Sequence, residues 1–210
     1  MRRFSTYVVS GVVAFLLAVV LASGSRFNAP TFDASSVVMI MNGSHHGSGF
    51  HIGGGKILTA AHVVEDGDIF PVLIEAKGTV RTVDGKVAWV DKEYDLALVV
   101  VPTVVFPSVD LSCRQPVIGE QVEAVGYPLD VGLAHTWGRV SASERERGDW
   151  LNSFVVDMTI GLGMSGGPLL DRREAKAVGV VVGVYRLAPF SIVVPSTVAC
   201  FLIESHAETR

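Results

Sequence analysis

Gly161-Leu162-Gly163-Met164-Ser165-Gly166-Gly167-Pro168-Leu169-Leu170 sets one serine among four glycines and follows it with a proline and two leucines. Proline has no N–H to give a sheet ladder, so Pro168 reads as the first residue of a strand and the glycines before it as a tight loop. The same texture continues outward on both sides. Val37 to Met41, Ile69 to Glu75, Val80 to Val90, Leu96 to Val101, Gln121 to Val125, Phe154 to Met158, Ala177 to Val184 and Ser191 to Val194 are short β-branched runs broken by glycine, proline or aspartate. Runs of that length and composition signal strands. No long amphipathic helices alternate with them, which speaks against a parallel α/β sheet. The best helix is Ser196 to Glu204, where a serine cap precedes an apolar face at Val198, Cys200, Phe201 and Leu202. Thr103 to Ser112, just after Pro102, reads as a connector. An all-β chain with a break near its midpoint is expected.

The chain has 210 residues, is 49% hydrophobic and 18% charged, and carries a formal charge of −4. It is too apolar and too weakly charged to be disordered. A folded chain of this size removes roughly 70% of its unfolded surface from water, so a real core is affordable. The acidic balance speaks against a nucleic-acid partner. Two cysteines, Cys113 and Cys200, are too few for a disulfide miniprotein or a four-cysteine zinc site. No metal or cofactor is expected.

Phe4 to Ser23 is a 20-residue stretch without a charge. As a helix it would span about 30 Å, the hydrocarbon thickness of a bilayer. With Met1-Arg2-Arg3 before it and Ala22-Ser23-Gly24 at its exit, it also reads as a signal peptide. Residues 1–24 are thus a signal peptide or a transmembrane anchor, and 25–34 a tether. The arginines ahead of the segment place the rest outside the cytoplasm. The protein is expected to be exported, either membrane-anchored through an uncleaved N-terminal segment or secreted or periplasmic.

Three motifs follow in the order histidine, aspartate, serine. Gly47-Ser48-Gly49-Phe50 precedes Ile57-Leu58-Thr59-Ala60-Ala61-His62-Val63-Val64; Tyr94-Asp95-Leu96-Ala97-Leu98 comes next; the glycine-serine loop comes last. Each has an ordinary explanation alone: a packed histidine, a turn aspartate, a flexible loop. Together, at spacings of 33 and 70 residues, they point to nucleophilic catalysis. A serine hydroxyl is a poor nucleophile at neutral pH and needs a base beside it. A histidine can take that proton and return it to the leaving amine, while an aspartate holds the ring in one tautomer.

These segments resemble the chymotrypsin-fold serine proteases, in the HtrA/Deg branch. The TAAH segment at His62, DLAL at Asp95 and GxSGGPL at Ser165 carry the resemblance, with Gly126-Tyr127-Pro128 and Ile192-Val193-Val194-Pro195-Ser196 adding to it. It covers about residues 36–204. It implies two antiparallel six-stranded β-barrels, about 35–102 and 113–195, then a short helix over 196–204, with the active site in the cleft between barrels. His62, Asp95 and Ser165 would be the catalytic triad, and the amides of Gly163 and Ser165 the oxyanion hole. The implied function is a serine endopeptidase acting on exported or misfolded polypeptides. Two alternatives stay open: a processing or signalling protease activated by a partner, and a non-catalytic binding module that keeps the cleft. Homo-oligomers through Phe27 and Phe32 are a further implication. No PDZ domain follows the last helix, so control through one is not expected.

The chain departs from the family at Met164, where many relatives carry asparagine or aspartate. Thr159, six residues before Ser165, stands where trypsin-like enzymes place the acidic residue that selects basic side chains. With Ile160, Val182 and Gly183 as neighbours, an apolar substrate pocket is expected, favouring cleavage after small or medium aliphatic residues. His45, His46 and His51 lack a cysteine or carboxylate at ligand spacing and read as loop and strand-surface residues, and His135 reads as a strand residue. Asp157 resembles a structural aspartate of the family, and Glu144 to Asp149 reads as a solvated loop. Export permits a bridge between Cys113 and Cys200, although sequence leaves open whether their β-carbons meet.

Overall fold

A computed structural model describes residues 31–76, 78–102, 105–145, 152–185 and 188–208. The apolar segment expected at residues 4–23, and Phe27, lie outside them. Among the described residues no helix is long and apolar enough to cross a membrane.

Two closed antiparallel barrels of six strands each follow one another along the chain. The first contains β1 (Val37–Asn42), β2 (His45–His51), β3 (Lys56–Ala60), β4 (Ile69–Ala76), β5 (Thr79–Asp91) and β6 (Leu96–Val100). Its spatial order is β1-β2-β3-β6-β5-β4, closed by pairing of β1 with β4. The second contains β7 (Gln121–Gly126), β8 (Ala134–Arg145), β9 (Ser153–Asp157), β10 (Pro168–Asp171), β11 (Ala177–Val184) and β12 (Phe190–Pro195). A helix, α1 (Ser196–Glu208), ends the described chain.

The β-branched runs all become strands, and Pro168 opens β10 as its missing N–H requires. Composition hides β2, because His45-His46-Gly47-Ser48-Gly49-Phe50-His51 holds two glycines and three histidines. Here glycine serves close packing, not a turn: a Cβ on Gly49 would sit 2.7 Å from the Ile57 side chain on the neighbouring β3. Glu144 and Arg145, expected in a solvated loop, belong to β8, and the rest of that run, residues 146–149, lies outside the described residues.

Two apolar clusters fill the molecule. One occupies the first barrel around Phe50, Leu58 and Trp89, and continues through Tyr127, Val180 and Val182 to Ala199 and Leu202 of α1. The other fills the second barrel around Phe154, Met164, Leu169 and Val181. Met164 is 1% exposed, which explains an apolar residue where the family often carries a polar one. Phe32, expected at a subunit contact, packs on this chain's own first cluster.

The helix runs on to Glu208, beyond the expected end at Glu204. No glycine or proline stops it, and its last turn is held by His206, whose ring stacks on Trp89 of β5 with centroids 4.9 Å apart. Ser196 does not supply the expected cap: it is buried, and its Oγ has no partner among the described residues. Cys200 on α1 is joined to Cys113, just after the expected connector and ahead of β7, with Cα atoms 5.9 Å apart. Nearby, Arg114 binds both Glu120 and Asp171. Burial alone would raise the Glu120 carboxyl, but its bonds to Arg114 and to the Val117 amide outweigh that and hold it below its ordinary value.

The bridge spans a sequence separation of 87 residues, so it restricts the unfolded chain strongly. Replacing both cysteines with serine is expected to lower stability by about 4 kcal/mol in a denaturant titration. An unchanged midpoint would show that the link contributes nothing.

Candidate active site

His62 lies in a 3-10 turn, Ala61–Val64, that leaves the end of β3. Asp95 stands one residue before β6 with φ +52°, a left-handed conformation that aspartate tolerates better than most side chains. Because β3 and β6 are paired neighbours, the ends that carry the two residues meet. Asp95 then grips the histidine segment at three points. Its carbonyl accepts from Ala61 N at 3.0 Å. Its Oδ1 accepts from the His62 amide at 2.9 Å, and its Oδ2 lies 2.7 Å from His62 Nδ1. A ring nitrogen facing a carboxylate carries the proton, which leaves Nε2 as the acceptor on the open side.

The hydrogen bond to Asp95 raises the His62 pKa above 6.5; burial opposes this, and the charges of Asp95 and Glu65 add to it. A raised folded-state pKa means that the pair contributes its full stability below about pH 6.5 and loses it as pH rises through that higher value. Beside His62 lies a recess of about 380 Å³ walled by Val90, Val182, Glu65 and Lys92.

Ser165 sits across the barrel interface in the loop between β9 and β10. The loop is stitched from both sides. Met164 N donates to Gly161 O at 3.1 Å, Gly167 N to Met164 O at 3.0 Å, and Gly166 N to Val181 O at 2.7 Å. The first barrel reaches it through Ser48 N, which donates to Ser165 O at 2.7 Å. A Cβ on Gly166 would lie 2.3 Å from Thr59 Oγ1 and 2.9 Å from Ala60 N, so the loop runs against the end of β3, two residues from His62. The structure thus pairs His62 with Asp95 and brings the serine loop alongside them. Among the described residues it shows no hydrogen bond between His62 and Ser165.

Gly163 has φ +95°, and a Cβ there would lie 2.4 Å from Tyr127 O. Conformation and space therefore both require glycine. The carbonyl of Leu162 accepts from Leu129 N at 3.0 Å. Carbonyl and N–H point in opposite directions across a trans peptide, so the Gly163 amide is turned away from Leu129. Among the described residues, neither the Gly163 nor the Ser165 amide donates to a protein acceptor.

The four residues expected around one substrate pocket differ in burial and in neighbours. Val182 lines the recess beside His62. Ile160 packs against the second-barrel core, Thr159 is exposed, and Gly183 is half-buried. His51 is a buried structural residue, not a strand-surface one. Its Nδ1 bonds Pro107 O at 2.9 Å, its Nε2 accepts from Gly55 N at 3.1 Å, and its ring stacks on Phe106. Ser48 and Leu129, which bond the serine loop, were assigned no role from the sequence, and His46, expected on a loop or strand surface, bonds Tyr127 O; the one available signal was a serine between glycines in the first motif.

Residues 47–180 match the model of the trypsin-like peptidase domain. The chain belongs to that family. It is 36% identical over 131 residues to a probable periplasmic serine endoprotease, DegP-like, of Brucella suis, and 32% identical over 185 residues to the mitochondrial serine protease HTRA2 of Drosophila pseudoobscura pseudoobscura. The matched regions cover 60% and 79% of this chain but only 25% and 40% of those proteins. Among solved structures, the serine endoprotease of Yersinia pestis superposes with a TM-score of 0.73 at 27% identity, covering 82% of this chain and 63% of that one. An inactive form of the Rv3671c protease of M. tuberculosis gives 0.70 at 26% identity, covering 87% and 95%. The trypsin-like peptidase assignment agrees with the paired barrels.

The His62–Asp95 pair makes a direct prediction. In an NMR titration His62 should ionise above 6.5 in the wild type, and Asp95→Asn should bring that ionisation down. Equal titration in both proteins would show that the carboxylate does not govern the ring.

Proposed function

We propose that the chain is a serine endopeptidase that cleaves exported or misfolded polypeptides. The observation that carries this reading is the 2.7 Å contact of His62 Nδ1 with Asp95 Oδ2 beside a serine loop that holds two uncommitted amides. In this reading His62 Nε2 takes the proton of Ser165 as Oγ attacks the scissile carbonyl, then returns it to the leaving amine. Asp95 keeps the ring in the tautomer that leaves Nε2 free, and stabilises the imidazolium. The Gly163 and Ser165 amides receive the oxyanion, each worth about 3 kcal/mol to the transition state. The histidine–serine bond that the structure lacks would form on substrate binding, since such contacts tighten in the substrate complex.

Export is supported by the apolar N-terminal segment and by the periplasmic name of the Brucella relative. If residues 1–24 stay uncleaved, they would hold the peptidase at a membrane. A fluorophosphonate probe, which bonds covalently to an activated serine, is expected to label the wild type and not Ser165→Ala. Labelling of both would remove Ser165 as the nucleophile; labelling of neither would remove the reading of a self-sufficient endopeptidase and leave a binding module or a protease that needs its partner.

Thr159 puts no charge where trypsin-like enzymes select basic residues, and Ile160 beside it is apolar. Cleavage after small or medium aliphatic residues is therefore proposed. A peptide-library profile dominated by lysine or arginine before the cut would reject it.

A further inference from the structure

Ser48 is fully buried on β2 of the first barrel, yet its bonds reach the working parts of the second. Its Oγ donates to Gly163 O at 2.7 Å and accepts from Tyr127 N at 2.9 Å. Its backbone N–H holds Ser165 O, and its own carbonyl accepts from Thr59 Oγ1 at 2.6 Å. A hydroxyl has a single proton, so the Oγ donor is committed to Gly163. The neighbouring His46 secures the same place, with Nε2 2.9 Å from Tyr127 O.

The bond to Gly163 O matters because of where that carbonyl lies in the loop. The Gly163–Met164 peptide sits between the peptides that carry the Gly163 and Ser165 N–H groups. Its orientation decides whether both donors can converge on one oxygen. Gly163 has no Cβ to resist rotation, so that peptide is held by its two bonds: Met164 N–H to Gly161 O within the loop, and Ser48 Oγ to Gly163 O from outside it.

We propose that Ser48 is a positioning residue of the oxyanion site: from the opposite barrel, its hydroxyl locks the Gly163–Met164 peptide and with it both flanking amides. The proposal rests on the endopeptidase reading and deepens it. Without the hydroxyl, the part-buried Gly163 carbonyl and the buried Tyr127 amide both lose a partner. Rotation of the peptide lets the carbonyl find another, and the same rotation turns the donors apart.

The test compares Ser48→Ala with Ser36→Ala, which removes the hydroxyl of another buried serine, bonded to Asp33 O at the entry to β1 and away from the serine loop. Ser48→Ala is expected to lower kcat by about 10- to 100-fold with KM changed less than about twofold, and Ser36→Ala to lower Tm while keeping kcat within about threefold. The affinity of Ser48→Ala for a peptide boronate, which forms a tetrahedral adduct, should fall by the same factor as kcat/KM. Should Ser48→Ala not fold, Ser48→Cys keeps a weaker donor in similar volume and should give an intermediate kcat. Unimpaired kcat in Ser48→Ala or Ser48→Cys, an equal kcat loss in Ser36→Ala, or a loss confined to KM would overturn the proposal. A wild type inert to fluorophosphonate would sink the endopeptidase reading as well, whereas an active wild type with an unimpaired variant sinks the positioning role alone.

Discussion

The backbone bond from Ser48 N–H to the Ser165 carbonyl, 2.7 Å long, joins two barrels that are each closed upon themselves. Closed barrels have no free edge, so they cannot merge by sharing strands; they can meet only through their outer faces and loops. His62 and Asp95 belong to one barrel and Ser165 to the other, and neither barrel holds all three. Any chemistry that needs them together depends on this seam. Ser48 and His46 supply the polar stitches along it, and the apolar cluster of the first barrel continues through Tyr127, Val180 and Val182 to fill the space beside them.

Other links brace the seam from behind. The terminal helix packs Ala199 and Leu202 into the shared cluster, stacks His206 on Trp89 of the first barrel, and is bridged through Cys200 to Cys113. Arg114 gathers Glu120 and the nearly buried Asp171 at the start of the second barrel. An unpaired charge at that depth costs several kcal/mol, so the three residues are stable as a set and not singly.

Much of the architecture was legible because β-branched runs and turn residues act locally. Val37–Asn42, Leu96–Val100 and Ala177–Val184 are strands that their own composition announces. The strand at His45–His51 was not, since its glycines are there for a neighbour's side chain that no local pattern reveals. Candidate site residues divide in the same way. His62, Asp95 and Ser165 stand in motifs. Thr159, Ile160, Val182 and Gly183 were grouped by resemblance to trypsin-like enzymes, and what each packs against comes only from the fold: Val182 lines the histidine recess and Ile160 packs on the second core.

By itself the sequence determined the all-β class, the midpoint break, and which histidine, aspartate and serine are candidates for chemistry, because strand propensity, turn chemistry and motif order are properties of adjacent residues. Only the tertiary structure decided which histidines serve structure, that Cys113 meets Cys200, and that a serine on the first barrel grips the loop of the second. Those outcomes depend on distances between residues remote in the chain, and such distances are set by how two closed surfaces pack, which no local pattern encodes.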